Sequence, residues 1–256
     1  DEKEKSEPIN QKKDSNDKVQ KSMIIKSNDE EMSHMRQMIS KHMVDSLSTS
    51  AHVYVMTDVD MSRIVEFVKL KEASFKNQES YNLTYTPFVV QATIQALLEF
   101  PKMNTSIEGT KIKYHKNINI GMAIALPVGL IVPAVLGCEE KSLIEISNAA
   151  KDLASRAKGS GSPLTQEENN GATFSVSNLG MFDIDEFVAI VVPPQSAILS
   201  VGKANDEVIV EDGNMVISKI MKMTLSVDHR VNDGAEAAMF LGELKQILEN
   251  PDQIFG

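Results

Sequence analysis

The chain has 256 residues, 42% of them hydrophobic and 24% charged, the balance of a globular protein able to bury a sizeable core. Its net charge of −10 argues against nucleic acid or an anionic membrane as the main partner. Cys138 is the one cysteine, so no intrachain disulfide framework can form and a reducing compartment is expected.

Residues 1–28 mix charges of both signs with Ser, Asn and Gln and hold little that is apolar. Such a stretch cannot offset its chain entropy by burial, and it reads as a disordered linker or tail ahead of one folded domain over 29–256. The chain begins at Asp1 with no apolar leader, which suggests a fragment or processed chain. No apolar run approaches the roughly 20 residues that span a bilayer.

From Asn28 onward the pattern is periodic. A first helix is predicted over 30–47, with Met35, Ile39, Met43 and Leu47 four apart on one face. AHVYVMTDVD (51–60) has strand propensity, and Asp60 caps a helix running to about Phe75. Pro87 suits the first turn of the next helix, which Pro101 closes. Strands are expected over 111–115, 118–126 and 130–136, then an amphipathic helix over 142–159 with Ser142 as cap and Gly159 as stop. Four more strands are predicted, over 172–180, 195–204, 206–213 and 215–228, with Asp212-Gly213-Asn214 as a hairpin turn between the last two. A final helix runs from Gly234 to about Leu248. Strands cluster in runs among the helices, so the fold class is α+β with a mixed sheet.

Five histidines are candidates for chemistry. His34 and His42 fall beside the polar side of the first helix, His52 begins a strand and His115 ends one. None has a partner at metal-ligand spacing, so no metal site is expected and each reads as a solvated or capping side chain. His229 differs in position: a long apolar strand runs into Asp228-His229-Arg230, followed by Val231-Asn232-Asp233-Gly234 and an Ala-rich helix. A rigid strand end can hold a side chain against a cleft. Asp233 can cap the helix, and Gly234 permits a close or positive-φ turn. On this physics a catalytic imidazole and a well-made strand-to-helix connection remain equally open. Cys138, after an apolar strand and before two Glu residues, reads as a buried or boundary thiol.

The segment SVDHRVNDGAEAAMFL resembles the HxxxDG signature of the dihydrolipoamide acyltransferases, the catalytic cores of 2-oxo acid dehydrogenase complexes. His229, Asp233 and Gly234 fill its three positions. Three further blocks resemble the same family in order: 35–61, 100–135 and 173–204.

The resemblance implies acyl transfer between the thiols of dihydrolipoamide and coenzyme A. A thiol is largely protonated at neutral pH, so its attack on a thioester needs a base, the role implied for His229. The oxyanion needs a preplaced donor. The family's F-[ST]-x-[ST] strand implies Ser177, within Phe174-Ser175-Val176-Ser177, and direct transfer without an acyl-enzyme. Asp233 is implied at the site in a structural part, by capping or by charge pairing with an Arg.

The implied fold is that of chloramphenicol acetyltransferase, as a homotrimer with His229 of one chain and Ser177 of the next in one channel. Trimers of the family assemble into 24-mer or 60-mer cores, for which Ile254 and Phe255 offer an apolar contact. Lipoyl and subunit-binding domains, which engage the E1 and E3 components, are not evident in residues 1–28, so the lipoyl group is expected from a domain outside this chain. The compartment implied is the cytoplasm in a bacterium or the mitochondrial matrix in a eukaryote. The block over 177–199 is closer to pyruvate-specific members, making acetyl the favoured group. Branched-chain or succinyl transfer, another HxxxD acyltransferase and a noncatalytic scaffold are the rival readings.

Overall fold

In the computed structural model the described residues are 29–79, 83–126 and 129–252. The expected tail over 1–28 and the apolar pair Ile254 and Phe255 lie outside them. A unit beginning at Ser33 carries every element below.

Helix α1 (His34–Thr49) starts four residues later than its periodicity suggests, because the Ser33 hydroxyl accepts from Arg36 N–H and caps it there. Its apolar stripe is only partly covered: Met35 and Leu47 are exposed, Ile39 and Met43 half-buried. Strand β1 (His52–Asp60) leads into α2 (Ser62–Glu79), whose first N–H donates to Asp60 Oδ1 at 2.8 Å. Helix α3 (Thr86–Glu99) has Pro87 in its first turn and a long buried face.

The middle of the chain departs from expectation. A short strand β2 (Thr105–Glu108), not predicted, pairs with β3 (Lys111–Tyr114). The run over 118–126 divides into β4 (Ile120–Met122) and β5 (Ile124–Leu126), and that over 130–136 into β6 (Gly129–Ile131) and β7 (Ala134–Val135). Pro133 has no N–H to give a ladder, so the second run breaks there. The outer halves β5 and β6 then form a separate hairpin, while β4 and β7 enter the main sheet.

Helix α4 (Leu143–Ala157) begins as predicted at Ser142, which forms a capping box with Glu145. The same device, Thr165 with Glu168, starts the unpredicted short helix α5 (Gln166–Asn170). Strand β8 (Phe174–Asn178) follows. The two strands expected over 195–213 are one, β9 (Ala197–Glu211), paired throughout with β10 (Asn214–Asp228). A bulge between Met221 and Met223 shifts the register, and the polar residues Asn205, Asp206 and Glu207 stay within the strand by pairing with Ile220, Lys219 and Ser218. Asp212 (φ 49°) and Gly213 (φ 80°) close the hairpin with two positive-φ residues, the form that matches strand twist. Helix α6 (Gly234–Glu249) ends the fold.

The six-stranded sheet has the order β1-β10-β9-β8-β4-β7 and is mixed: β8 runs parallel to both β4 and β9, the other pairs antiparallel. Alternation sorts its two faces. Phe174, Val176, Leu199, Met223, Leu225 and Val227 join the core beneath the helices, and Phe240 of α6 packs against Phe100 and Phe174. The opposite face carries Ser175, Ser177, Ile198, Ser200, Thr224, Ser226 and Asp228. The segment 179–196 crosses this face, held by Thr224 Oγ1 donating to Glu186 Oε1 at 3.3 Å. Gly202 is required beneath it, since a Cβ there would overlap the Asp185 carbonyl. Among the described residues, no helix is long and apolar enough to cross a membrane.

Candidate active site

The turn after β10 is bonded on every side. Asp228 N–H donates to Ser196 O (2.9 Å), His229 N–H to Ala51 O (2.7 Å), and Val231 and Asn232 N–H both return to Asp228 O (2.9 and 3.0 Å). His229 thus projects from a backbone tied to the starts of β1 and β9, and its side chain is exposed.

Asp228, which sequence reasoning passed over, organises the turn. Its side chain is fully buried, yet it faces Arg230 as an ion pair at 2.6 Å and accepts from the backbone N–H groups of Arg230 (3.1 Å) and Ala51 (3.3 Å). Burial pushes the carboxyl up, but the Arg230 bonds and charge, with a bond from Ser50, outweigh it and hold the pKa below the usual value. The signal was present in the sequence: a carboxylate on the last rung of a buried strand face needs a cation, and Arg230 stands two residues away.

Asp233 turns its carboxylate toward the helix. Its Oδ1 accepts from Glu236 N–H (2.8 Å) and its own N–H donates to Glu236 Oε2 (3.1 Å), a complete capping box. Glu236 in turn binds Lys102 Nζ through both oxygens (2.7 and 2.8 Å). The expected reason for Gly234 does not hold within the chain: it is absent from the positive-φ residues, and a Cβ there would meet nothing within 4 Å.

Ser177 is half-buried near the end of β8. Its neighbour Ser175 is fully buried and donates to Gln195 Oε1 at 2.7 Å. Register fixes how far Ser177 stands from His229. Ser177 pairs with Ser200, and Ser200 with Thr224. His229 is therefore two strands across and five residues along, roughly 20 Å at ~4.8 Å per strand and ~3.4 Å per residue. One chain cannot bring the two side chains to one reacting carbon.

The remaining candidates lie apart. His34 and His42 are exposed on α1. His52 is half-buried, its Nδ1 3.2 Å from Ser50 O and its Nε2 accepting from Val191 N–H at 3.1 Å. His115 Nε2 is 2.6 Å from Ser106 Oγ, and burial, then Lys113, lowers its pKa. Cys138 is fully buried, donates to Val135 O at 3.1 Å, and is pushed up to about 11, chiefly by burial. No group of three His, Cys, Asp or Glu suited to a metal occurs among the described residues.

Residues 25–256 match the family described as 2-oxoacid dehydrogenases acyltransferase (catalytic domain). The chain is 41% identical over 226 residues to the dihydrolipoyllysine-residue acetyltransferase component of the mitochondrial pyruvate dehydrogenase complex of Schizosaccharomyces pombe, covering 87% of this chain and 46% of that protein. It is 36% identical over 233 residues to the corresponding acetyltransferase of Rickettsia felis, covering 89% and 56%. The chain thus spans about half the length of the curated relatives it matches. A dihydrolipoyllysine-residue succinyltransferase of the 2-oxoglutarate dehydrogenase complex of Cupriavidus necator is 35% identical over 223 residues, covering 87% and 53%.

Among solved structures, the dihydrolipoamide acetyltransferase of Azotobacter vinelandii superposes with a TM-score of 0.84 at 28% identity, covering 90% of this chain and 95% of that one. The work on it concerns the role of a serine, a histidine and an asparagine in its catalytic mechanism, the serine 52 positions before the histidine and the asparagine four after. The cubic core of a pyruvate dehydrogenase multienzyme complex also gives 0.84 at 28% identity, covering 98% and 100%. Chloramphenicol acetyltransferase, at 12% identity and 0.51 over 81% and 94%, shares the fold alone.

Proposed function

Because the chain belongs to the 2-oxoacid dehydrogenase acyltransferase catalytic-domain family, we propose that it moves an acyl group, acetyl first among them, between dihydrolipoamide and coenzyme A. His229 takes the proton from the attacking thiol, whose sulfur adds to the thioester carbonyl. The tetrahedral carbon then expels the other thiolate, which takes the proton back from the imidazolium. The Ser177 hydroxyl donates to the oxyanion between the two steps. Asp233 and Gly234 start α6 beside the imidazole, and Asp233 serves the site through its cap.

The separation of Ser177 from His229 carries this reading. An exposed imidazole and a strand-end hydroxyl roughly 20 Å apart in one chain make sense as two halves of a site completed between copies. Repeated head to tail, that contact closes into a ring, a homotrimer in this family's pattern. Ser177 stands 52 positions before His229, and Asp233 four after it, the spacing of the three residues in the Azotobacter protein. Asparagine at the last position there suits a capping role, which an amide fills as well as a carboxylate. The likeness to a cubic core supports further assembly of the rings into a 24-mer or 60-mer, with E1 and E3 components as the partners to test. The cytoplasm or the mitochondrial matrix, where such complexes work, is the compartment to test.

The experiment is a thiol-transfer assay with free dihydrolipoamide and acetyl-, isobutyryl- and succinyl-coenzyme A. Acetyl transfer should dominate, and His229→Ala should lose it by ~10²–10⁴-fold. Full activity in that variant, or no transfer to any thiol by the parent, would sink the reading.

A further inference from the structure

The buried Asp228 carboxylate has a job the proposed chemistry leaves unassigned. A charge taken out of water persists only when paired and hydrogen-bonded. Every donor that satisfies this one comes from a segment touching His229. Arg230 folds back with Nε at 3.0 and 3.1 Å from the two carboxylate oxygens and Nη2 at 2.6 Å. The backbone N–H groups of Arg230 and Ala51 add two more bonds. His229 lies between the two halves of this ion pair in sequence, and its own N–H is bonded to Ala51 O.

The pair also differs from an ordinary surface salt bridge. The Asp228 side chain is fully buried, while the Arg230 side chain is 38% exposed. Arg230 therefore acts as a fork-shaped lid over an anion that cannot reach water. It makes parallel bonds that a lysine ammonium cannot reproduce. Removing it leaves the backbone bonds of the turn and the Asp233–Glu236 cap in place, but strips the side-chain bonds that close the Asp228–Arg230 span across His229.

We propose that Asp228 and Arg230 form a positioning pair for His229, fixing the backbone of the turn so that the imidazole meets the thiol already oriented. The inference rests on the acyl-transfer reading, in which His229 is the base. An imidazole displaced by about 1 Å loses on the order of 100-fold in rate, and the loss falls on the chemical step rather than on thiol binding.

Arg230→Ala is the test, with Arg230→Lys beside it. Kinetics are measured with acetyl-coenzyme A and dihydrolipoamide on the assembled protein, with and without added guanidinium. The expected result for Arg230→Ala is a kcat lower by about tenfold or more, both KM values within about twofold, an unchanged assembly size, and partial recovery of kcat with guanidinium. Arg230→Lys should fall between parent and Arg230→Ala. An unchanged kcat, or a loss of assembly and melting temperature that guanidinium does not reverse, overturns the proposal and leaves the pair a structural one. If the parent itself transfers nothing, the reading of function fails separately. The positioning claim is then read from the His229 ring NMR signal: broadened or doubled in Arg230→Ala supports it, and a signal identical to the parent's overturns it.

Discussion

Mixing two inactive variants should restore activity, and the amount follows from the sheet. Ser177 shares a rung with Ser200 and Thr224, which leaves His229 roughly 20 Å away. A tetrahedral centre needs its base and its oxyanion donor each within about 3 Å, so the proposed chemistry requires His229 from one copy and Ser177 from another. Alone, Ser177→Ala loses an oxyanion donor, worth ~10²–10³ in kcat, and His229→Ala loses the base. Each variant alone should therefore retain under about 1% of the parent's activity. In a head-to-tail ring of three that contains both variants, whichever is in excess, one junction of the three joins an intact His229 to an intact Ser177. Rings co-expressed with two different tags and purified on both should then show about one third of the parent kcat, or about one quarter where equal amounts mix at random within a larger core. The assay is the same thiol transfer, normalised to chain concentration. Activity no higher than the mean of the two variants would refute the shared site and, with it, the use made of the strand register.

Two further predictions concern the buried groups. The Asp228 carboxyl lies below its usual 3.8 in the folded chain, so the stability it contributes is fully present above about that pH and is lost as pH falls through its folded value. Asp228→Asn should therefore melt at a lower temperature at pH 7, with the gap to the parent narrowing below about pH 4; a gap constant across that range would contradict the assignment. The Cys138 thiol, buried and pushed up to about 11, should not react with a disulfide reagent at pH 8 in the folded protein and should react once per chain in denaturant. Full reaction before unfolding would show the thiol to be accessible.

What the sequence determined by itself was local. The helix starts at Ser142 and Asp233, the Asp212-Gly213 hairpin turn and the strand-to-helix placement of His229 each follow from a few adjacent residues, whose caps and dihedral preferences act over one turn of chain. The HxxxDG spacing was legible for the same reason. The tertiary structure decided the rest, because those outcomes depend on partners far away in the chain. Whether 195–213 is one strand or two turned on the partners that Ser218, Lys219 and Ile220 offer its polar middle, and the division of 118–126 and 130–136 turned on which halves found a place in the main sheet. The stripe of α1 looked like a core face in sequence, yet Met35 and Leu47 are exposed, since periodicity marks an apolar side without naming what covers it. Asp228 had its cation, Arg230, beside it in the sequence, but its burial and its bond from Ala51 N–H came only from the tertiary structure. The gap between Ser177 and His229 likewise came from register: sequence names both residues, but only the pairing of strands sets the distance between them.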